Sequence, residues 1–161
     1  MQDTKLCFSS GVEPMVYSGR IRMPYQWSAG ETGSRFFIQL RDYGRIWGAR
    51  CPLCGLVFVP PRKVCGRCLT DIGEWVELPH TGMLQTFTVV HRHLPKIHPV
   101  DPPFIYGIIR LEGADSGLIH LLGEVDPGEI VSGMRVQAVL KEKRERQGNL
   151  LDIKYFKPFS A

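Results

Sequence analysis

Residues 51–68 read CPLCGLVFVPPRKVCGRC and organise the rest of the chain. The stretch holds two Cys-x-x-Cys pairs separated by ten residues, and Gly55 and Gly66 lie in the two turns. Such a turn is typical of a zinc knuckle, because it brings two sulfurs to one ion and glycine avoids the strain of a Cβ. The spacing predicts one tetrahedral Zn²⁺ per chain, with four ligands: Cys51, Cys54, Cys65 and Cys68.

This predicted zinc is structural rather than catalytic. A site with four protein ligands has no open position for water or substrate. The alternatives are two disulfides or four buried thiols. The chain shows no signal sequence, and thiols stay reduced in the cytoplasm, which favours zinc over disulfides.

The composition is that of a globular protein. The 161 residues suit one large domain or two small ones, and 43% are hydrophobic. No apolar run approaches membrane-spanning length, so we expect a cytoplasmic protein with no membrane partner. Cys7 lies far from the cluster and is interpreted as an ordinary free thiol.

Positive charge is concentrated around the two cysteine pairs. The net charge is +4, and residues 45–70 include no carboxylate. Such a stretch attracts anions, for example the phosphates of coenzyme A (CoA), an acidic partner surface or nucleic acid. A solvated basic face explains the charge equally well. The basic residues are Arg45, Arg50, Arg62, Lys63 and Arg67.

The sequence predicts a mainly β protein in three parts: an arm at 1–33, a helix plus a rubredoxin-like zinc ribbon at 34–74, and a barrel at 75–161. The arm shows no persistent period and is expected to pack on its own body or on a partner. Thr32 or Ser34 is the predicted helix cap, and Gly44 the predicted helix end.

Five predicted strands follow, at 82–91, 104–111, 116–125, 134–141 and 150–156. The one connector that is not a strand falls between the third and fourth, which favours a closed barrel of the OB-fold type over a split sandwich. In the last strand, Leu151, Ile153 and Tyr155 alternate with Asp152 and Lys154, the period of two that is typical of a strand.

A long connection at 91–103 holds four prolines and three histidines. His91 and His93 would share a strand face, so a second metal site is one interpretation; the other is a rigid loop that shields a barrel end or meets a partner. His120, within the third strand, is interpreted as a core histidine rather than a catalytic base.

Several motifs together resemble a known family. They are the two cysteine pairs with Pro-Pro-Arg at 60–62 between them, Trp75, PFIYGIIRL at 103–111, GMRV at 133–136 and FKP at 156–158. In this combination the chain resembles the zinc-ribbon/OB-fold proteins associated with acyl-CoA metabolism, once catalogued as a domain of unknown function. The resemblance covers roughly residues 34–159.

The resemblance implies a small subunit that is not catalytic alone. Family members bind thiolase-like, ketoacyl-synthase-like or hydratase-like partners, and a thiolase-like partner supplies the Cys and His chemistry on a CoA thioester. One candidate within this class is the small subunit of benzoylsuccinyl-CoA thiolase. The resemblance and the charge pattern together suggest residues that contact CoA or the partner: Arg50, Arg62, Lys63, Arg67 and His98.

Two other classes compete. A single-stranded nucleic-acid binder needs exposed aromatics among basic residues, and the second barrel strand offers Phe104 and Tyr106 with Arg110. The run KEKRER at 141–146 is basic but diluted by two glutamates, which disfavours nucleic acid. A redox role is disfavoured because neither cysteine pair opens a helix in a βαβ pattern.

Overall fold

The computed structural model describes residues 15, 17, 23–92, 94 and 98–159. The predictions for Cys7 and His93 lie outside the described residues. One α-helix is followed by a three-stranded ribbon and a five-stranded barrel. The elements are α1 (Gly30–Tyr43), β1 (Ile46–Arg50), β2 (Val57–Phe58), β3 (Glu74–Leu78), β4 (Thr81–Val90), β5 (Phe104–Leu111), β6 (Leu118–Leu122), β7 (Arg135–Leu140) and β8 (Ile153–Pro158).

The helix starts earlier than the sequence predicted. It begins at Gly30, whose N–H donates to the hydroxyl of Ser28, so the predicted cap at Thr32 or Ser34 was wrong. It ends at Gly44, as predicted, where a left-handed backbone (φ 66°) lets the Gly44 N–H donate to the Leu40 carbonyl. No helix among the described residues, α1 included, is long and apolar enough to cross a membrane.

The ribbon sheet has the strand order β2-β1-β3, with both pairs antiparallel. Ile46, Val57 and Leu78 are buried in the same hydrophobic cluster as the barrel residues. Gly48 allows this close packing, since a Cβ there would lie only 2.8 Å from a methyl group of Val57. The strands of the ribbon therefore share one core with the barrel.

The barrel is closed, with the strand order β4-β5-β6-β8-β7 and β4 paired with β7. All neighbours are antiparallel except β6 and β8, which meet in parallel at Leu122 and Phe156. Closure removes exposed edges, and the arrangement is an OB-fold, as predicted. The interior is filled mainly by Leu84, Ile109, Val136, Ile153 and Phe156, each with no exposed surface.

The last strand begins later than the sequence predicted. Residues Leu150–Asp152 form a 3-10 turn, and β8 begins only at Ile153. The Asp152 carboxylate is buried because it accepts the backbone N–H groups of Gln147 (2.8 Å) and Gly148 (2.7 Å). Leu151 is left exposed. Carboxylate hydrogen bonds to the turn outweighed the apolar alternation on which the prediction rested.

The ribbon and the barrel are also joined by hydrogen bonds at one turn of the barrel. The Val57 N–H donates to the Asp115 carboxylate (2.8 Å), and the Asp115 N–H donates to the Val57 carbonyl (2.9 Å). The Ser116 hydroxyl accepts from the Val59 N–H (2.7 Å) and donates to the Val59 carbonyl (2.9 Å). These four bonds fix the orientation of β2 on the barrel.

Candidate metal centre and basic surface

The four predicted ligands converge on one point. The sulfurs of Cys51, Cys54, Cys65 and Cys68 all lie within 4.8 Å of one another. The Sγ atoms of Cys54 and Cys65 are 3.7 Å apart, close to the roughly 3.8 Å edge of a tetrahedron with Zn–S bonds of about 2.3 Å. A disulfide needs about 2.05 Å between its sulfurs. The cluster therefore fits one zinc ion rather than two disulfides.

The two knuckles are built by the same pair of backbone hydrogen bonds. Gly55 and Leu69 donate to the carbonyls of Cys51 (2.9 Å) and Cys65 (3.0 Å), and each of these cysteines donates its N–H to the residue five positions on. Gly55 (φ 73°) and Leu69 (φ 55°) both have a left-handed backbone. For Leu69 this costs about 1 kcal/mol. Leu69, not Gly66, therefore occupies the position equivalent to Gly55.

Backbone N–H groups make the cluster suited to thiolates. The N–H groups of Arg67 and Cys68 both donate to the Cys65 sulfur at 3.4 Å. The Cys68 bond is the main cause that lowers the pKa of Cys65 to about 7, while the hydrogen bond to Cys54 raises the pKa of Cys68 to about 12.

Residues 45–70 contain no carboxylate, but in the fold two carboxylates from another strand lie beside them. Strand β3 runs beside β1 and carries two glutamates outside the range 45–70. Arg50 pairs with Glu74 (3.1 Å), and Arg45 pairs with Glu77 (3.6 Å). The Arg50 guanidinium, which the sequence suggested as a CoA or partner contact, is thus already engaged.

The remaining ribbon cations are exposed. Arg62 lies over the Phe58 ring (5.4 Å to its centroid) and beside Gly66, next to Arg67. Lys63 follows Arg62 and is exposed as well. In the described part of the chain, no salt bridge of 4 Å or less holds these three side chains.

His98 lies outside the ribbon sequence, in the connection between β4 and β5. Its Nδ1 accepts the Leu94 N–H (3.3 Å), and its ring meets the Phe104 ring edge-on at 4.9 Å. Among the described residues, no hydrogen bond or ring contact joins His98 to Arg62, Lys63 or Arg67. Of the five suggested CoA or partner residues, four lie in the ribbon and His98 lies in the β4–β5 connection.

The surface offered for nucleic acid is also smaller than the sequence suggested. Phe104 is buried and packs edge-on against Tyr106, so its faces are not open for base stacking. In the basic run at 141–146, Arg144 pairs with Glu142 (2.9 Å) and Arg146 donates to the Lys141 carbonyl (2.9 Å). Phe104, Arg144 and Arg146 thus already have partners within the chain.

His120 is buried inside the barrel, as expected of a core histidine. Its Nε2 lies 3.0 Å from the Leu150 carbonyl, which requires a proton on Nε2, and its ring packs against Phe156. Burial lowers the pKa of His120, because desolvation disfavours the charged imidazolium. The Nδ1 atom is buried and has no hydrogen-bond partner.

Two leucines on the knuckles were missed by sequence reasoning. Leu53 lies inside the first Cys-x-x-Cys turn and Leu69 directly after the second, and they are 72% and 80% exposed. The sequence feature that could have identified them is a large apolar residue at a turn whose two cysteine sulfurs bind one ion. Such a turn protrudes, so its intervening side chains point away from the core.

A closed OB barrel with a four-cysteine ribbon packed on it defines the class of zinc-ribbon/OB-fold proteins. Two family domains match this chain: the ChsH2 rubredoxin-like zinc ribbon at residues 39–72 and the ChsH2 C-terminal OB-fold domain at 75–141. A DUF35 domain-containing scaffold protein of Methanocaldococcus jannaschii is 32% identical over 113 residues, 69% of this chain and 78% of that protein. The chain therefore belongs to the ChsH2/DUF35 family.

Two further relatives agree with this assignment. A DUF35 domain-containing scaffold protein of Pyrococcus furiosus is 30% identical over 112 residues, which are 70% of this chain and 80% of that protein. The solved structure of the Ltp2-ChsH2(DUF35) aldolase superposes with a TM-score of 0.57 at 25% identity, covering 78% of this chain and 93% of the matched chain.

Proposed function

We propose that this chain is a non-catalytic subunit of a thiolase-type complex that acts on acyl-CoA thioesters in the cytoplasm. The observation that carries the proposal is the similarity to the Ltp2-ChsH2(DUF35) aldolase, whose name joins a DUF35 protein, ChsH2, to a second protein, Ltp2. The relatives from two archaea are described as scaffold proteins, which supports an organising role rather than a catalytic one.

The described buried groups support the same role. His120 and Asp152 are the two charged or polar residues among the described side chains that are fully buried. Asp152 holds a turn, and His120 bonds a backbone carbonyl. Both groups are therefore occupied in holding the fold, and the chemistry of the complex is left to the partner.

We assign one structural zinc to Cys51, Cys54, Cys65 and Cys68. When bound, the ion cross-links two turns that have few buried apolar side chains of their own. The knuckles then present Leu53, Leu69 and the basic side chains Arg62, Lys63 and Arg67 on one rigid support. Leu53 and Leu69 supply apolar contact area for a partner, and the cations supply charge.

The finer proposal concerns CoA. Arg62, Lys63 and Arg67 are exposed and lie within six consecutive positions in the second half of the ribbon. Charge-assisted hydrogen bonds to the phosphates of CoA suit such a group, with the thioester bound jointly by the partner. An aromatic acyl group such as that of benzoylsuccinyl-CoA is one member of the proposed substrate class.

The experiment for the function compares three samples in a thiolysis assay: the thiolase-like subunit alone, this chain alone, and the two mixed. We expect turnover only in the mixture, and co-elution of the two proteins on size exclusion. Full turnover by the large subunit alone would remove the proposed role. Salt-sensitive binding to single-stranded nucleic acid without any such association would favour the competing class.

The CoA contact has its own test. The double change Arg62→Ala and Lys63→Ala should raise the apparent KM for CoA roughly tenfold, the loss expected for one or two charge-assisted bonds. The double change Lys143→Ala and Arg144→Ala removes the same charge from the β7–β8 connection and serves as control. Equal KM values in both variants, with normal assembly, would mean that the ribbon cations do not contact CoA.

A further inference from the structure

The arm before the helix holds five of the six most exposed large hydrophobic side chains in the described part of the chain. Residues 23–29 have no helix or strand assignment. Within them Met23, Tyr25 and Trp27 are 76%, 77% and 75% exposed. Side chains of this size are usually buried on their own body or at an interface, because each aromatic can bury about 150–250 Å². The arm therefore presents an unsatisfied apolar surface.

These three side chains occur at every second position. Pro24, Gln26 and Ser28 separate them, and two further apolar residues, Met15 and Tyr17, keep the same spacing. A period of two places alternate side chains on one face of a β-strand. No period persists over the arm as a whole, but residues 23–28 follow a period of two.

We propose that residues 23–28 add as an edge strand to an exposed sheet edge of the catalytic partner, with Met23, Tyr25 and Trp27 on its apolar face. The inference rests on the function proposed above. In such a strand the N–H and C=O groups of residues 23, 25 and 27 point to one side, and those of 24, 26 and 28 to the other. Pro24, which lacks an N–H, lies on the second side and leaves the first one intact.

This position of Pro24 makes the two hydrogen-bonding edges of the strand unequal. The edge at residues 23, 25 and 27 can donate a full row of hydrogen bonds to the partner, as in other cases of strand addition. The opposite edge faces solvent and is interrupted by Pro24, so a further strand does not pair there. The arm can thus extend a partner's sheet by one strand and terminate it.

The charges favour a partner over this chain itself. Residues 15–29 contain two arginines and no carboxylate, and the whole chain carries +4, so two copies repel each other. The chain's own barrel is closed and offers no edge; the open edges of this chain are those of the ribbon sheet, at β2 and β3, and a second copy would have to pair there. An acidic strand edge on another protein is the complementary surface.

The arm cannot form the whole interface. Three side chains bury less than the roughly 800 Å² per partner of a stable complex. We therefore assign the main contact to the folded body and an additional contact to the arm. The arm also lies before residues 39–72 and 75–141, which match the family domains. It is thus suited to select one partner among several that accept the shared fold.

The test uses proline as a probe of the two edges. Titration of the full chain against the separately expressed thiolase-like subunit gives the Kd of each variant. Tyr25→Pro removes an N–H from the pairing edge and should weaken binding at least tenfold more than Tyr25→Ala, which removes the side chain alone. Gln26→Pro removes an N–H from the solvent edge and should bind like the wild type.

Hydrogen exchange provides a second readout on the complex. The amides of Tyr25 and Trp27 should become protected on binding, while those of Gln26 and Ser28 remain fast. Equal effects of the two proline variants, or uniform protection of all four amides, would overturn strand addition while leaving the subunit proposal intact. No binding by the wild-type chain would instead overturn the proposed function, and concentration-dependent dimers of this chain alone would assign the strand to a second copy.

Discussion

The barrel and the knuckles of the ribbon differ in how much apolar surface they bury. In the barrel, Leu84, Ile109 and Phe156 have no exposed surface. At the knuckles, Leu53 and Leu69 expose 72% and 80% of theirs. Apolar burial is the main favourable term in folding, so the barrel has its own source of stability and the knuckles need another.

The division between buried and exposed apolar side chains does not coincide with the division between barrel and ribbon. Strands β1, β2 and β3 belong to the ribbon in sequence, yet Ile46, Val57 and Leu78 are buried with the barrel residues. The two turns that carry the cysteines lie outside the shared core. We therefore expect metal to control the knuckles, and the hydrophobic core to control the ribbon strands together with the barrel.

The largest effect is expected from the loss of a zinc ligand. Cys54→Ser should abolish stoichiometric zinc and disorder the two knuckles, because metal binding, about 10–16 kcal/mol in zinc-finger peptides, supplies their folding energy. Strands β1 and β3 should remain, since their apolar residues stay buried against the barrel. Metal analysis and amide exchange measure the two outcomes.

Cys7→Ser is the control for this change, because it removes a thiol outside the four-cysteine group. It should keep one zinc per chain. Loss of β1 and β3 together with the knuckles would show that the whole ribbon depends on the metal. The hydrophobic core would then not be enough to hold the ribbon strands. A pure wild-type protein without zinc would contradict the metal assignment itself.

The converse change is a cavity in the barrel. Ile109→Ala removes a fully buried side chain and should lower the free energy of unfolding by about 2–5 kcal/mol. Zinc content at low temperature should stay at one per chain, because the knuckles do not pack on Ile109. Urea denaturation with zinc analysis of the folded protein provides the measurement. Zinc loss before global unfolding would tie the knuckles to the barrel core.

A smaller effect is expected at the hydrogen bonds that join the two regions. Asp115→Ala leaves the Val57 N–H without its acceptor and should cost about 1–3 kcal/mol. Exchange of the β2 amides should rise more than exchange in the barrel. Asp126→Ala removes a similar carboxylate from the Gly128 N–H within one turn and serves as control. Equal exchange of β2 in both variants would show that the core alone positions the ribbon.

The fold was largely predictable because its signals are local. Two Cys-x-x-Cys pairs and a period of two in β7 are visible in short windows, and the structure agrees with the ribbon and the OB-fold barrel drawn from them. The start of β8 was not predictable in this way. The carboxylate of Asp152 is buried by bonds to a turn several residues upstream, which outweigh the alternation of apolar residues.

The candidate site shows the same limit. Converging cysteines follow from their spacing, but the pairing of Arg50 with Glu74 depends on β3 returning beside β1. A stretch without carboxylates in sequence therefore acquired two from a distant strand. Leu69 is similar, because its left-handed backbone is imposed by the second knuckle and no residue preference indicates it.

The smallest expected effect is a pH dependence from the barrel interior. Burial lowers the pKa of His120 below its ordinary value of 6.5, so the unfolded chain binds a proton at a higher pH than the folded chain. Stability should then fall as the pH drops below about 6.5 and continue to fall until the folded pKa is passed, by at most about 1.4 kcal/mol per pH unit. Above pH 7 both states are neutral, and the contribution is constant.

His120→Gln isolates this contribution, and His91→Gln at an exposed position is its control. The free energy of unfolding is measured by urea at pH 7.5 and pH 5.0 for the wild type and both variants. Protonation of the zinc ligands affects all three proteins alike, so the difference in pH slope belongs to the histidine. We expect a shallower slope for His120→Gln and an unchanged one for His91→Gln. An unchanged pH slope in both variants would mean that the His120 imidazole accepts a proton within the folded barrel as readily as in the unfolded chain. The barrel interior would then be more polar than the packing of His120 against Phe156 indicates.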